Sequence, residues 1–246
     1  MLETRHPPLD KWPGELHRHP KKSSVTYPTR VHLAEWLQAE ATRAAADFGR
    51  YRVLDIGCGR KPYYPYFAES ASEYVGVDID SDNRFADLLG PVEDLPVSDA
   101  SFEVVLCTQV LEHAGDPDQA ISELHRATAP GGRVLASTHG VQVYHPAPED
   151  HWRWTHTGLQ LLFLRNGDWA SVEVHPAGGT ATCLAAMTGI YLDMLCRRVH
   201  VTPVAKGLVW TLNTTGAALD RRVAGLRVTQ PGSIFLNYHV VAEKPA

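Results

Sequence analysis

The chain has 246 residues, of which 44% are hydrophobic and 21% are charged, and its formal net charge is −5. These values fit one folded α/β domain of ordinary size and exclude an intrinsically disordered chain. Because there is no basic excess, neither nucleic acid nor an anionic membrane is an expected partner. No uncharged apolar stretch reaches the roughly 20 residues that a membrane-spanning helix requires.

The four cysteines predict a reducing compartment. They are too few and too widely spaced for a disulfide framework, and none forms a C-x-x-C pair. The N-terminal segment lacks an apolar core of the signal-peptide type. We therefore expect reduced thiols and a cytoplasmic location.

The predicted elements begin with an N-terminal arm or lid over residues 1–28, a polar segment that contains five prolines. Residues 29–246 are then expected to form one domain. Thr29 is a plausible N-cap for a helix whose apolar residues recur at helical spacing as far as Ala44. The short apolar run Arg52–Ile56, which glycines terminate, predicts a buried strand.

Strands and helices alternate along the middle of the chain, which predicts a parallel sheet with helices on both faces. An amphipathic helix is expected over Asp118–Thr128, and the turn Pro130-Gly131-Gly132 leads into the next strand. The further predicted strands are Tyr74–Val77, Phe102–Thr108, Arg133–Ser137, Val172–His175 and Ile234–Val241.

A helical insertion is predicted at about residues 180–225, before the last strand. It contains two apolar patterns at helical spacing, one from Leu184 to Leu195 and one from Val204 to Val223. A connection of this length is more consistent with helices than with a structureless loop.

The segment after the first strand carries a ligand-binding pattern. Asp55 ends the apolar run, and Gly57-Cys58-Gly59 follows. Glycines allow a sharp turn and a close approach of a ligand to the backbone, and N–H groups at a helix start suit an anionic group. A nicotinamide-binding fold begins similarly, but its third glycine would fall at Pro62. An acid before the first glycine also suits a cationic ligand group better than a pyrophosphate.

Two later acidic positions fit a nucleoside. Asp78 ends the second predicted strand, 23 residues after Asp55. A carboxylate at this place can accept hydrogen bonds from both hydroxyls of a ribose. Further along, Asp94 followed by Leu95 is suited to accept from an adenine amino group and to cover the ring.

Together, the segments VLDIGCG, VGVDID, DLPVSDASFEVVLCTQVLEH and APGGRVLAST resemble the class I S-adenosylmethionine-dependent methyltransferases. The similarity is to the branch that includes the ubiquinone and menaquinone biosynthesis type, and it covers about residues 50–140. It implies an α/β, Rossmann-like fold with a seven-stranded, mostly parallel sheet of order 3-2-1-4-5-7-6. It also implies S-adenosylmethionine as the methyl donor and S-adenosylhomocysteine as the product.

The resemblance also implies the residues that contact the cofactor. The sequence departs from the family at Lys61, where the glycine loop often has a third glycine. The implied contacts are Asp55, Gly57 and Gly59 for the methionyl part, Asp78 for the ribose, Asp94 and Leu95 for the adenine, Thr108 and Gln109 for the sulfonium end, with Ile79 and His113 beside them.

The acceptor pocket is predicted in residues 138–156, since reactions in doubly wound folds take place beyond the carboxyl ends of the strands. This stretch holds four histidines, two acids, an arginine and three aromatic residues. An acceptor that carries a proton needs a base, often histidine. His139, nearest the strand end, is the first candidate and His145 the second, with Asp150 or His151 to orient either one.

Several alternatives remain open at this point. Trp152 and Trp154 either wall the acceptor pocket or pack the domain, and Glu112 is either structural or functional. The histidines lack a compact spacing such as H-x-x-x-H, so no metal site is expected. The favoured function is O-methylation of a natural-product or saccharide-type metabolite. The alternatives are N- or C-methylation, or a fold relative that binds S-adenosylmethionine without methyl transfer; a homodimer is also possible.

Overall fold

Residues 7–246 are described by the computed structural model of the chain. Seven strands in that part form one sheet of order 3-2-1-4-5-7-6, which confirms the predicted order. The last strand runs antiparallel to both neighbours, and the other neighbouring pairs are parallel. The strands are β1 (Tyr51–Ile56), β2 (Ala71–Asp78), β3 (Leu88–Leu89), β4 (Phe102–Thr108), β5 (Thr128–His139), β6 (Ser171–Ala177) and β7 (Asn237–Glu243).

Helices cover both faces of the sheet, as predicted. Successive side chains of a strand point to opposite faces. Accordingly, Val53 of β1 packs in the cluster that contains Leu37, whereas Leu54 packs in the cluster that contains Leu124 and Leu159. The helices are α1 (Glu15–Arg18), α2 (Tyr27–Phe48), α3 (Tyr64–Phe67), α4 (Pro117–Ala127), α5 (His156–Arg165), α6 (Thr180–Arg198) and α7 (Thr202–Arg222).

Local capping explains where two central helices begin. The Asp116 carboxylate accepts a hydrogen bond from the Gln119 N–H at 3.1 Å, and Pro117 occupies the first turn of α4. The Thr155 hydroxyl accepts from the Gly158 N–H at 3.1 Å and caps α5 in the same way. Both side chains satisfy a backbone N–H that has no partner within the helix.

Two local predictions were wrong. Thr29 lies inside α2 rather than capping it, because Pro28 fixes the backbone at the first turn, where its missing N–H costs nothing. The predicted turn at residues 130–132 lies within β5. There the pairing with β4 shifts register, from Phe102 opposite Thr128 to Val104 opposite Arg133. Extra residues in one strand form a bulge without ending the strand.

The described part of the N-terminal arm packs on the loop that follows β1. Trp12 is buried, and its Nε1 donates to the backbone oxygen of Lys61 at 2.8 Å. The Arg18 guanidinium donates to the Trp12 oxygen at 3.0 Å and to the Pro62 oxygen. Asn213 of α7 holds the far end of the arm by donating to the backbone oxygen of Lys22 at 2.8 Å. Residues 1–6 of the predicted arm lie outside the described residues.

Helices α6 and α7 form a hairpin within the predicted insertion, between β6 and β7. Small residues line the contact: a Cβ added to Gly216 would lie 2.9 Å from the Cβ of Ala185. Many of the large apolar side chains face outward, and Tyr191 and Val204 are each 55% exposed. Within residues 7–246, none of the helices combines the length and apolar character that crossing a bilayer requires.

Asp220 joins the two helices of this hairpin. Its buried carboxylate accepts from the N–H groups of Ala181 and Thr182, both at 3.0 Å, and so caps the start of α6. Asp220→Ala should lower the free energy of unfolding by about 1–2 kcal/mol, because two buried N–H groups lose their acceptor. Urea unfolding followed by circular dichroism measures the loss.

The control for this variant is Asp193→Ala. Asp193 pairs with Arg197 at 2.6 Å on the outer part of α6 and caps no backbone group in the described structure. Since such pairs contribute little, the unfolding midpoint should barely move. Equal shifts in the two variants would show that the Asp220 cap does not stabilise the hairpin.

Candidate functional site

Two adjoining cavities open at the carboxyl ends of the parallel strands, the position where doubly wound folds bind ligands. The first cavity has a volume of about 700 Å³ and is lined by the loop after β1, the ends of β4 and β5, the arm, α2 and α6. The second cavity has a volume of about 250 Å³ and is lined by the ends of β1 and β2 and by residues 90–93. Gly57 and Gln109 line both cavities, so the cavities meet at these two residues.

The loop after β1 turns sharply at Gly57, which has a φ of +61°. A Cβ at this residue would lie 2.4 Å from Cγ2 of Val110. Side chains rarely adopt this backbone conformation, and here the space is also filled. The loop can therefore follow this path along the cavities only with a glycine at residue 57.

Lys61 occupies the position where related loops often have glycine, and it adopts a φ of +49°. Its side chain is 3% exposed, pairs with Asp87 and lies over the Tyr74 ring, 5.8 Å from the centroid. A non-glycine residue in this conformation costs about 1–2 kcal/mol. The ion pair with Asp87, whose side chain is 39% exposed, and the ring contact explain how the chain keeps a lysine there.

Asp55 lines the first cavity at the end of β1 and is almost fully buried. Its Oδ2 accepts a hydrogen bond from the Tyr74 hydroxyl at 2.7 Å. Burial raises the pKa of Asp55 to about 7. A cationic ligand group beside this carboxylate would favour its charged form, which makes Asp55 suited to an ammonium group.

Asp78 lines the second cavity together with Ile79. Its Oδ2 accepts from the Gly59 N–H at 2.8 Å and from Nδ2 of Asn83 at 2.9 Å. The carboxylate therefore connects the end of β2 to the glycine loop. It keeps acceptor capacity toward the cavity, because a carboxylate has about four lone-pair sites.

Asp94 and Leu95 are not brought to either cavity. The Asp94 side chain is exposed, and Leu95 is buried in the core with its N–H donating to the Glu123 carboxylate at 2.8 Å. Arg126 donates to Glu123 and to the Leu95 oxygen and so holds this segment against α4. The wall of the second cavity is formed instead by Gly90–Glu93.

The remaining predicted cofactor contacts lie around the junction of the cavities. Thr108 lines the first cavity and His113 the second. Gln109 has a φ of +57°, and its Nε2 donates to the Ser137 hydroxyl at 3.0 Å. Its amide is thereby fixed where the two cavities join.

His139 ends β5 and lines the first cavity, nearly buried. Its Nδ1 lies 2.8 Å from Oδ1 of Asn237, whose Nδ2 donates to Oε1 of Gln109 at 3.2 Å. Since Oδ1 can only accept, Nδ1 carries the proton and Nε2 keeps its lone pair. Burial lowers the pKa of His139 to about 4, so the ring is neutral at pH 7. The sequence analysis did not identify Asn237, which is the first residue of β7.

Glu112 is fully buried beneath His139, in the turn that follows β4. Its Oε2 accepts from the Thr138 hydroxyl at 2.8 Å, whereas Oε1 lies 3.2 Å from Nε2 of His139. No hydrogen bond to Oε1 is present within the described chain. Burial raises the pKa of Glu112 to about 7. The sequence left this residue open, and the structure places it beside the first base candidate.

His145 lies across the cavity from His139, with 3.4 Å between their Nε2 atoms. The backbone N–H of His145 donates to Oδ2 of Asp150 at 2.9 Å. The Asp150 carboxylate also accepts two hydrogen bonds from the Arg153 guanidinium, at 2.5 and 2.7 Å. The Arg153 guanidinium holds the pKa of Asp150 well below its usual range. Asp150 therefore fixes the loop that carries His145 and is not a proton carrier. His151 instead pairs with Glu149 at the surface.

The two tryptophans of this loop line neither cavity. Trp152 donates from Nε1 to the Ala114 oxygen at 2.8 Å, and its ring stacks on Trp154 at 5.7 Å between centroids. Trp154 in turn packs on the main core. The packing alternative is therefore the one that the structure supports.

The outer part of the first cavity comes from segments outside the motifs. Val25 of the arm, Leu33 and Arg30 of α2 and Ile190 of α6 line it. An acceptor bound there would meet apolar surface and one guanidinium. These residues were not predictable, because arm, helix and hairpin meet only in the folded chain.

The central motifs of the chain match those of known proteins. Residues 54–136 match a family model described as a methyltransferase domain. A malonyl-[acyl-carrier protein] O-methyltransferase from Erwinia billingiae is 32% identical over 42% of this chain and 43% of that protein. A ubiquinone biosynthesis O-methyltransferase from Pseudomonas aeruginosa is 27% identical over 56% of this chain and 65% of that protein. The matched regions thus span less than two thirds of either relative.

The fold is likewise similar to that of solved structures. A SAM-dependent methyltransferase from Archaeoglobus fulgidus aligns with a TM-score of 0.52 at 17% sequence identity. The alignment covers 85% of this chain and 94% of that one. At this identity the similarity concerns the fold alone.

Proposed function

We propose that this chain, which belongs to the class I S-adenosylmethionine-dependent methyltransferases, methylates an oxygen atom of a small molecule. The favoured acceptor is a natural-product or saccharide-type metabolite. The observation that carries the proposal is His139, a neutral imidazole with a fixed tautomer whose free Nε2 lies in the larger of the two joined cavities. The free thiols of all four cysteines support a cytoplasmic location.

The residues around the cavities fit the cofactor. Asp55 offers a buried carboxylate for the ammonium of the methionyl part, and Asp78 offers an acceptor for the ribose. Gly57 lines both cavities, and a Cβ there would lie 2.4 Å from Cγ2 of Val110, so only glycine keeps the backbone this close to the ligand space. We infer that the adenosyl part occupies the second cavity, with the sulfur near Gln109, where the cavities meet.

S-adenosylmethionine, when bound, supplies a methyl group that is already activated by the sulfonium. The protein then has to orient the acceptor, exclude water and take one proton. The acceptor oxygen forms a bond to the methyl carbon, the sulfur–carbon bond breaks, and the O–H proton moves to Nε2 of His139. Asn237 keeps that nitrogen free by holding the proton on Nδ1.

Titration calorimetry with S-adenosylmethionine, S-adenosylhomocysteine and NADH tests the cofactor assignment. Both sulfur ligands should bind the wild-type protein, and Asp78→Ala should weaken them about 10- to 100-fold, since charge-assisted hydrogen bonds are worth 1.5–3 kcal/mol. The control is Asp80→Ala, an exposed neighbour whose carboxylate accepts only from the Asp82 N–H in the described structure. Binding of NADH alone would overturn the assignment.

A screen of hydroxylated metabolites, followed by mass spectrometry, tests the transfer itself. We expect S-adenosylhomocysteine to form together with a product that carries one additional methyl group on oxygen. A methyl group on nitrogen or carbon would contradict the choice of acceptor atom. Tight cofactor binding with no transfer to any acceptor would instead favour a fold relative that binds S-adenosylmethionine for another purpose.

A further inference from the structure

A cluster of three ligand-type side chains lies where the two cavities adjoin. Glu112, His113 and His145 each offer an oxygen or nitrogen atom, and these atoms all lie within 4.8 Å of one another. His113 lines the second cavity and His145 the first, with Glu112 buried beneath them. The turn after β4 and the loop after β5 thus bring together residues that are distant in sequence.

The cluster is rich in lone pairs and poor in donors. Nδ1 of His113 donates to the backbone oxygen of Glu149, so Nε2 of His113 keeps its lone pair. Oε1 of Glu112 is fully buried and has no hydrogen-bond partner in the described structure. Nδ1 of His145 lies 3.5 Å from Oδ2 of Asp150, so Nε2 is the nitrogen left for a ligand role. A buried acceptor without a donor costs about 1–3 kcal/mol, and a cation at this place would remove that cost.

We propose that Glu112, His113 and His145 bind a divalent transition-metal cation. Imidazole and carboxylate together suit Zn²⁺, Fe²⁺ or Co²⁺. Ligand bonds to zinc are about 2.0–2.2 Å long, so three ligand atoms within 4.8 Å of one another need only small side-chain rotations to close on one ion. Three protein ligands leave coordination positions open, as in catalytic rather than structural sites.

This site could not be predicted from the sequence, because its ligands are not at a compact spacing. Glu112 and His113 are adjacent, but His145 follows 32 positions later, across the whole of α4 and β5. Asp150 provides the further support that metal-binding histidines usually have, since its Oδ2 lies 3.5 Å from Nδ1 of the His145 ring and accepts from the His145 backbone N–H, and the carboxylate is itself held by Arg153.

The cation would determine the class of acceptor, an inference that rests on the proposed function. An acceptor hydroxyl bound at an open position would lose its proton more readily, because the ion stabilises the oxyanion. Nε2 of His139 lies 3.2 Å from Oε1 of Glu112 and is placed to take that proton. A five-coordinate ion with three protein ligands has two open positions, which favours an acceptor with two neighbouring oxygens, such as a vicinal diol, a catechol or a hydroxycarboxylate.

Co²⁺ is a suitable probe, because its visible absorption reports the coordination of the ion. The full-length protein, stripped with a chelator, is titrated with Co²⁺ and followed by absorption and calorimetry. We expect one ion per chain in the wild-type protein, displaced by Zn²⁺, and an affinity at least about 100-fold lower in His145→Asn and in Glu112→Gln. Glutamine keeps the hydrogen bond from Thr138, so that variant should remain folded.

His175→Asn is the control, since this exposed histidine lies 3.0 Å from the Glu173 carboxylate and forms a similar pair on the surface. Its Co²⁺ affinity should equal that of the wild-type protein. Absence of binding to the wild-type protein, or equal binding to all four proteins, would overturn the site. The acceptor class is tested separately, by comparing methylation of diols and mono-alcohols with and without chelator.

Titrating S-adenosylmethionine alongside separates the two proposals. Cofactor binding without Co²⁺ binding would remove the cation site and leave the proposed methyl transfer standing. Co²⁺ binding lost in both variants, with no binding of the cofactor, would support the cation site and overturn the methyltransferase proposal. Equal methylation of diols and mono-alcohols, unaffected by chelator, would contradict the acceptor class.

Discussion

Gly57→Val is expected to weaken the binding of S-adenosylmethionine at least about 100-fold, a loss of about 2.7 kcal/mol. The valine Cβ would lie 2.4 Å from Cγ2 of Val110, at the point where the two cavities join. A β-branched residue is also strained at a φ of +61°. The new side chain therefore distorts the loop and displaces Val110, which lines the second cavity assigned to the cofactor. Titration calorimetry on the purified variant measures the change.

Gly232→Val separates the effect of backbone strain from the effect of a new side chain beside the cavities. Gly232 has a φ of +87°, but a Cβ there would meet nothing within 4 Å, and the residue lines neither cavity. This control should lose stability through backbone strain alone and keep the cofactor affinity of the wild-type protein. If Gly57→Val binds the cofactor as well as Gly232→Val does, the cofactor does not lie at the junction.

His139→Asn is expected to lower kcat for methyl transfer by about 10²- to 10⁴-fold, the usual contribution of a general base. Cofactor affinity should change little, because His139 is assigned to the acceptor. Steady-state kinetics on the acceptor found in the screen provides kcat and KM separately. His151→Asn is the control from the same loop, since its exposed ring pairs only with Glu149 in the described structure.

The relative losses in kcat of three variants distinguish the candidate bases. Asn237→Ala should lower kcat less than His139→Asn does, since Asn237 only orients the ring and fixes its tautomer. His145→Asn should lower kcat as well, through the loss of the cation. An unchanged kcat in His139→Asn, combined with a large loss in His145→Asn that added metal does not restore, would make His145 the base.

The sheet and the glycine loop could be predicted because their signals are local. Asp55, Gly57 and Asp78 lie at strand ends that short apolar runs mark in the sequence, and parallel topology brings such ends to one edge. Asp94 and Leu95, predicted to contact the adenine, lie outside both cavities, and the neighbouring residues 90–93 line the second one. The position of this segment depends on the contact of Arg126 with Glu123 and Leu95, which a motif does not contain.

The acceptor side was only partly predictable, for a different reason. His139 and His145 were identified from their place after a strand, but the partner that sets the tautomer of His139 lies 98 positions away. Nothing in the sequence distinguishes Glu112 from an ordinary acidic residue. Only the fold brings it close to the rings of His139 and His145. The direction of the large apolar side chains of α6 and α7 was equally undetermined, because small residues rather than large ones form the contact between the helices.

The hairpin of α6 and α7 also has a consequence for how this chain can diverge. Ala177 of β6 pairs directly with Asn237 of β7, so the chain leaves and re-enters the sheet at two residues about 5 Å apart. A short turn is enough to join two antiparallel strands at this distance, and the backbones of β6 and β7 make their pairing themselves. The hairpin adds Cys183 to a small core with Leu236 beside β7, so substitutions and length changes elsewhere in the hairpin can accumulate without altering the sheet. These changes would alter the wall of the first cavity at Ile190 and leave the lining of the second cavity, which is assigned to the adenosyl part, unchanged. Acceptor preference can therefore evolve independently of the methyl donor.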